Sequence, residues 1–507
     1  MTRRAILLLL SFSCWLTPCA CSKKTEGPPS HPDVPSSFES FPRGAGRQET
    51  DRWYLVEFQG QPSGWAHTQV TRHSTPQGPR WVTNSEEFIV MRRGTERMEA
   101  RTAERYLENE RGQLLRFWEM EQEQSGEKVI IQAGKVGAEM VTVRGPETYR
   151  VPFEPQAFAT QRCYRILFTA NRPEAGEVKQ YRSYDPRQAN YEDVRIAVKS
   201  VGAKTIEVEQ TNSSMPGVVT KVQMDETYIA TRAETRIGVL HLLYRQVAKK
   251  PDIETDGLAP DLDPLMVIPS NVPIQNPRTL ARARYRIEGL PEHVDSSWLN
   301  GPGQRVTGHP SPDAFLLETE QMGEPVSLPF PLDVKKPELK KYLASTSLTR
   351  LEDPQIRKTA KTVTAEAPDA WTAAKRLRQW VSEEIEGSMG MGFASASHTL
   401  QKQEGDCSEQ SVLLTALARS VGIPARCIMG LVYQDGSFFR HMWTEVWVGR
   451  WQPLDPAQAT DHISAAWIRL AVHSLQLTDD EKTGAGGLLL FGAKLKVIVE
   501  KVETTNR

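Results

Sequence analysis

Cysteine is scarce in this sequence, with six in 507 residues. Half of them lie in the first 21 positions, which have the composition of an export signal: Cys14, Cys19 and Cys21. The rest of the chain holds the others: Cys163, Cys407 and Cys427. This number excludes the disulfide framework of small exported domains. A single Cys407–Cys427 bridge stays open, and it would prevent thiolate chemistry at Cys407.

The sequence also lacks an excess of charge of either sign. Its 62 basic residues balance 63 acidic ones, for a net charge of -1. A nucleic acid is therefore not expected as a partner. The CxxC and HExxH spacings of common metal sites are absent too, so the sequence predicts no metal and no other cofactor. Nothing in these letters indicates an oligomeric state.

Long hydrophobic runs are few, and the clearest one opens the chain. Two arginines precede an apolar stretch over residues 5–16, which is too short for a comfortable membrane span and predicts an export signal over residues 1–21. The end of this signal resembles the lipobox of bacterial lipoproteins, since Cys21 follows an alanine. The resemblance implies lipidation of Cys21, with plain signal cleavage as the alternative. The mature protein is then expected in the cell envelope, attached to a membrane by its lipid and facing the periplasm or the exterior.

The rest of the chain divides into segments that differ in composition and in hydrophobic periodicity. Composition and periodicity predict a flexible Pro/Ser/Gly-rich tether over residues 22–50, an antiparallel β domain over 51–250, a Pro-rich connector over 251–278, a small β segment over 279–350, a helix-led α+β domain over 354–462, and a C-terminal helix and strands over 463–507. The C-terminal helix is expected within SAAWIRLAVHSLQ.

The stretch GDCSEQSVLLTALARSVGIPAR, residues 405–426, carries the strongest chemical signal. Its apolar residues recur at helical spacing until Gly422, so Cys407 lies at the amino terminus of a predicted helix. Free backbone N–H groups at a helix start favour a thiolate over a thiol. A small, buried, structural cysteine is the alternative reading of Cys407 by itself.

A reactive cysteine needs a base, and the base needs a group that orients it. Downstream of the helix, RCIMGLVY and FFRHMWTEVWVG predict two strands joined by a tight turn, and a second turn leads into WQPLDP. His441 begins one strand and Asp455 ends the next, so adjacent strands could place imidazole and carboxylate side by side. Taken separately, a surface histidine and an Asp-Pro turn would explain the same letters.

The order GDC, GIPAR, HMWTEV and WQPLDP resembles the transglutaminase-like core of the papain-type cysteine enzymes. The resemblance covers about 105 residues, roughly 354–460. It implies a multidomain α+β protein, in which a large amino-terminal antiparallel β region precedes a transglutaminase-like (papain-type) α+β domain. The rest of the chain gains no function from it.

By this resemblance Cys407 is the nucleophile, His441 the base and Asp455 the group that holds the imidazole. The substrate would be a protein or peptide, attacked at a peptide or glutamine amide bond through a thioester. One oxyanion donor would be the backbone N–H of Cys407, while a second is unassigned, with His398 and Gln403 nearby. Arg426 is expected in an ion pair, and Cys427 in the core.

The same triad can pass the acyl group to water or to an amine. Water gives a peptidase or amidase, which the resemblance favours for an exported bacterial protein, and an amine gives a cross-linking γ-glutamyltransferase. A non-catalytic envelope scaffold is a third possibility, although such a relic usually loses its nucleophile or base, and this sequence has both.

Overall fold

A computed structural model describes residues 38–504, with gaps at 94–95, 124–127, 146, 159–161, 216–217, 238–239, 254–258, 291–293, 295, 327, 347, 389–393, 474 and 476–493. The predicted export signal, the lipidation site Cys21 and the first part of the predicted tether lie outside the described residues. The described chain divides into two compact units, one ending at Asp261 and the other beginning at Leu262.

The first unit is built on a 14-stranded antiparallel sheet. Its strands are β1 (Arg47–Phe58), β2 (Gln61–Thr75), β3 (Gly78–Arg93), β4 (Glu96–Glu108), β5 (Leu114–Glu123), β6 (Lys128–Val136), β7 (Glu139–Arg144), β8 (Glu147–Pro152), β9 (Val178–Asp185), β10 (Asn190–Val201), β11 (Ile206–Asn212), β12 (Val219–Met224), β13 (Ala230–Ile237) and β14 (Leu240–Val247). Consecutive strands pair along two runs, β1 to β8 and β9 to β14, and β1 joins the runs by pairing with β14. This meander confirms the predicted antiparallel β region.

Tight turns explain why neighbouring strands pair. Between β1 and β2, Gln59 and Gly60 both have positive φ angles, 54° and 75°, as a two-residue hairpin turn requires. The sheet also curves back on itself. Thr142 Oγ1 on β7, next to one edge of the sheet, lies 2.7 Å from the hydroxyl of Tyr184 on β9, the strand at the opposite edge. Alternating side chains of the strands therefore face an enclosed interior.

That interior holds charged groups. Arg187, in the turn between β9 and β10, pairs with the buried carboxylates of Glu104 and Glu119. Burial raises the pKa of Glu119 to about 8, and burial likewise raises the pKa of Glu192 on β10 to about 8. The interior of the sheet is thus acidic rather than purely apolar.

Residues 38–50 differ from the predicted tether. Phe38 is buried against β7, Glu39 pairs with Arg80 at 2.6 Å, and β1 already begins at Arg47. The buried aromatic ring and the strand pairing stabilise this stretch on the sheet. The structure therefore corrects the tether prediction over residues 38–50.

The second unit mixes helices with three sheets. Helix α1 (Cys163–Thr169) belongs to the first unit. The helices of the second unit are α2 (Asp263–Met266), α3 (Ser296–Leu299), α4 (Pro354–Val363), α5 (Ala370–Glu384), α6 (Ala396–Lys402) and α7 (Cys407–Ser420), with 3-10 turns at Pro277–Thr279 and Pro337–Leu343. Its strands are β15 (Val267–Pro269), β16 (Leu280–Glu288), β17 (Gln304–Ser311), β18 (Ala314–Glu320), β19 (Glu386–Gly387), β20 (Glu404–Gly405), β21 (Ala425–Gln434), β22 (Ser437–Trp447), β23 (Trp451–Leu454), β24 (Trp467–His473) and β25 (Lys496–Thr504). Asp353, Asp369, Ser395 and Asp406 cap the amino termini of α4 to α7.

Two of these sheets share one hydrophobic core. The central sheet has the order β15-β22-β21-β24, with β23 also paired to β22, and the side sheet has the order β17-β18-β16-β25. Tyr285 of the side sheet meets Phe438 of the central sheet with the rings perpendicular and 5.7 Å apart. The predicted small β segment therefore folds as part of the unit that carries Cys407.

The predicted C-terminal helix is wrong. Residues 467–473 of the SAAWIRLAVHSLQ stretch form β24, which pairs with β21 in the central sheet. A short apolar run fits a buried strand as well as a buried helix, and pairing with a distant strand decides between them. The predicted strand at VIVEKVE is β25, whereas most of LLLFGAKLK lies outside the described residues.

Candidate active site

Cys407 is the first residue of α7, and the start of this helix is held by a reciprocal cap. Asp406 accepts a hydrogen bond from the backbone N–H of Ser408 at 2.7 Å, and Glu409 accepts one from the N–H of Asp406 at 2.9 Å. Cys407 is a free, half-buried thiol. The partial positive charge of the helix start lies next to its sulfur.

The other two described cysteines are buried and free. Cys427 lies on β21, where its Sγ is 3.3 Å from Thr415 Oγ1. Burial raises the pKa of the Cys427 thiol to about 12, and burial has the same effect on the pKa of Cys163. These two thiols are therefore unreactive, and the structure contains no Cys407–Cys427 bridge.

Hydrogen bonds hold α7 against β22. Ser411 Oγ donates to the carbonyl of Cys407 at 2.6 Å and lies 3.1 Å from the carbonyl of Met442. Thr444 Oγ1 donates to the carbonyl of Ser411 at 3.0 Å. Since Met442 follows His441 directly, these bonds set the position of Cys407 relative to His441.

His441 lies at an opening in the edge of β22. On that edge, β15 pairs with residues 437–439 and β23 pairs with residues 444–447. On this edge, opposite the one that pairs with β21, none of the described strands pairs with residues 440–443. The β21–β22 turn at Asp435 and Gly436, with φ angles of 48° and 86°, fixes the register that brings His441 to this opening.

Asp455 follows β23 directly and bonds to His441. Its Oδ2 lies 2.7 Å from His441 Nε2, and its carboxylate is fully buried. Oδ1 accepts a hydrogen bond from the backbone N–H of Gln458 at 3.1 Å. With Nε2 directed at Asp455, the other ring nitrogen of His441 is left for Cys407. The predicted Cys407, His441 and Asp455 thus come together from a helix start, a strand and a strand end.

Electrostatics favours a charged imidazole at this site. Burial lowers the pKa of His441, but the negative charges of Asp455 and of the Cys407 thiolate, with hydrogen bonds to both, raise it more. The pKa of His441 therefore stands well above its usual range. An imidazolium beside a thiolate is the resting pair of a cysteine nucleophile.

Trp467 is a site residue that the sequence did not predict. Its indole Nε1 donates to Asp455 Oδ2 at 2.9 Å. The residue begins β24, the strand that sequence reasoning assigned to a helix. The only available signal for a strand was that Trp, Arg and Ala alternate with Ile, Leu and Val along this run. This signal is weak because the run is almost wholly apolar.

Glu445 forms a buried charge cluster on the same strand as His441. It pairs with Arg426 at 2.6 Å, as expected for Arg426, and with Arg469 of β24 at 2.5 Å. Burial raises the pKa of Glu445, but the two arginines lower it more, so it stays below its usual range. The guanidinium of Arg426 also lies 3.9 Å from the ring centre of Trp451. This cluster joins β21, β22 and β24.

The second oxyanion donor stays unassigned, with His398 inside α6 and Gln403 exposed at its end. Within the described ranges, no group of three metal-binding side chains occurs. Over the same part of the chain, no helix has the length and apolarity needed to cross a membrane.

One region of the chain matches a known family. Residues 357–456 match the model of the transglutaminase-like superfamily, and no curated protein matches the sequence. A solved structure of a candidate cysteine protease from Cytophaga hutchinsonii is similar at 13% identity and a TM-score of 0.30, over 45% of this chain and 85% of that one.

Two further solved structures are also similar to this chain. A candidate protease from Parabacteroides distasonis has 11% identity and a TM-score of 0.21, over 71% of this chain and 69% of that one. A β-barrel-like protein of a domain of unknown function from Brucella abortus has 12% identity and a TM-score of 0.30, over 41% of this chain and all (100%) of that one. At these low scores the three structures carry no weight for function.

Proposed function

We propose that this protein is a cysteine-dependent acyl-transfer enzyme that hydrolyses peptide or glutamine amide bonds, because residues 357–456 form a transglutaminase-like domain. One observation carries the proposal: His441 is bonded to the buried Asp455 at 2.7 Å and is charge-coupled to Cys407 at a helix start. That arrangement supplies a nucleophile, a proton carrier and an orienting carboxylate.

The first half of the reaction forms a thioester. The Cys407 thiolate attacks the carbonyl carbon of the amide, and the backbone N–H of Cys407 donates to the oxyanion that forms. The His441 imidazolium then gives its proton to the departing nitrogen, so the C–N bond breaks and an amine or ammonia leaves. Asp455 keeps the imidazole oriented and stabilises its charge.

The second half releases the acyl group. Neutral His441 takes a proton from water, the resulting hydroxide attacks the thioester carbonyl, and the C–S bond breaks. The products are a carboxylic acid and the Cys407 thiolate beside a recharged His441. Water at about 55 M competes with any amine, so cross-linking would require a cleft that excludes it.

Mass spectrometry tests the acceptor. The purified mature protein is incubated with envelope proteins and glutamine-rich peptides in the presence of a labelled primary amine. We expect new peptide termini, or glutamine converted to glutamate, without the label. Amine incorporated at glutamine would instead make the protein a cross-linking transferase, and the Cys407→Ala variant gives the background.

We also propose that the protein is exported and anchored in the cell envelope through lipid on Cys21, because its first residues resemble a lipoprotein signal. With a metabolically labelled fatty acid, the wild type should carry the label and sediment with membranes. Cys21→Ala should lose the label, while Cys19→Ala should keep it. A wild type without label would leave plain signal cleavage as the explanation.

A further inference from the structure

The carboxylate of Asp455 accepts two side-chain hydrogen bonds at one oxygen. Oδ2 receives His441 Nε2 at 2.7 Å and Trp467 Nε1 at 2.9 Å. Asp455 is fully buried, and a buried carboxylate is costly unless donors satisfy it. The indole N–H is a neutral donor. It therefore stabilises the negative charge of Asp455 without adding a second positive charge beside His441.

The side sheet holds the segment that carries Trp467. The carbonyl of Ala465, two residues before Trp467, accepts hydrogen bonds from the Tyr285 hydroxyl at 3.0 Å and from Thr319 Oγ1 at 2.7 Å. The N–H of Ala465 donates to the carbonyl of Leu280 at 2.9 Å. All three partners belong to β16 or β18. The side sheet thus fixes both backbone groups of Ala465.

From these contacts we propose that Trp467 is a positioning residue for the catalytic carboxylate, and that the side sheet is its support. The inference rests on the proposed function of the Cys407, His441 and Asp455 site. It also gives the predicted small β segment a role, because residues of that segment hold the β24 end from which the indole reaches Asp455.

The physical consequence concerns the charge on the triad. Without the indole N–H, the carboxylate is less stabilised and is free to rotate away from His441 Nε2. In a larger fraction of molecules the proton of His441 then lies on Cys407, as a neutral thiol–imidazole pair. Since that thiol must lose its proton before it can react, the Cys407 thiolate forms at a higher pH. A hydrogen bond to a charged group is typically worth about a ten- to hundredfold change, and we expect a loss of that size in kcat, with KM nearly unchanged.

The test uses Trp467→Phe, which keeps an aromatic ring and removes the N–H. The rate of Cys407 alkylation by iodoacetamide is measured against pH, because it reports the thiolate without any substrate. The acid limb of this profile should move to higher pH. Trp298→Phe makes the same change at another tryptophan of the shared core and tests for a general loss of packing, so it should leave the limb in place.

Thr319→Val is the second variant, since it removes the hydrogen bond to the carbonyl of Ala465 and leaves Trp467 intact. It should move the limb in the same direction by a smaller amount. An unchanged limb in a folded Trp467→Phe protein, or equal shifts in Trp467→Phe and Trp298→Phe, would overturn the proposal. If the limb moves but the wild type turns over no amide substrate, the positioning role stands and the proposed function fails.

Discussion

Replacing Cys407 by alanine should reduce amide turnover by about 10⁶-fold. The thiolate forms the thioester bond, and none of the neighbouring groups can take its place: Ser411 Oγ donates to the Cys407 carbonyl, and Cys427 is buried with a pKa of about 12. The measurement is the release of product from a fluorogenic amide, with intact-mass detection of the thioester in the wild type.

Cys163→Ala is the matched control for the nucleophile. The thiol of Cys163 is buried and belongs to the first unit, so this substitution should leave turnover unchanged. Iodoacetamide under reducing conditions should label the wild type at Cys407 and spare Cys163 and Cys427. Turnover by Cys407→Ala at the wild-type rate would show that the chemistry lies elsewhere, and a Cys407 that resists alkylation would favour a scaffold.

Replacing Asp455 by asparagine should lower kcat by about 10²- to 10⁴-fold. Asparagine keeps the shape of the side chain but removes the negative charge that, against the effect of burial, helps raise the pKa of His441. The pKa of His441 should therefore fall. Because the reaction needs the imidazolium to protonate the leaving group, the alkaline limb of the kcat profile should move to lower pH.

Asp461→Asn is the control for this charge change. Asp461 lies near the same strand end and pairs with Arg378 at 2.6 Å, away from His441. Its kcat profile should match that of the wild type. An alkaline limb that stays in place in Asp455→Asn would mean that another group sets the proton affinity of His441.

Local signals in the sequence predicted the elements around the site. The helical spacing before Gly422 placed Cys407 at a helix start, and the structure has α7 beginning there. The tight turn predicted between RCIMGLVY and FFRHMWTEVWVG lies at Asp435 and Gly436, and both residues have the positive φ that such a turn needs. These predictions succeed because caps and turns depend on residues a few positions apart.

Long-range pairing was not predictable in the same way. The run WIRLAV was assigned to a helix, yet it is a strand because β21, some forty residues earlier, offers it a pairing edge. Trp467 and Arg469 were missed for that reason, although one bonds to Asp455 and the other to Glu445. The residues 38–50 were expected to be flexible, but the buried Phe38 ties them to the first sheet.

The sequence alone determined the type of chemistry that we propose, through a cysteine, a histidine and an aspartate in a recognisable order. It also determined the alternation that makes an antiparallel sheet. Only the tertiary structure decided which distant strands meet. It thereby decided that the side sheet, formed by β16 to β18 and β25, bonds to Ala465 next to the Trp467 strand, and that several glutamates are buried in the first unit. The reason is physical. Turns and caps are decided by local hydrogen bonds, whereas strand pairing and burial are decided by the free energy of the whole fold.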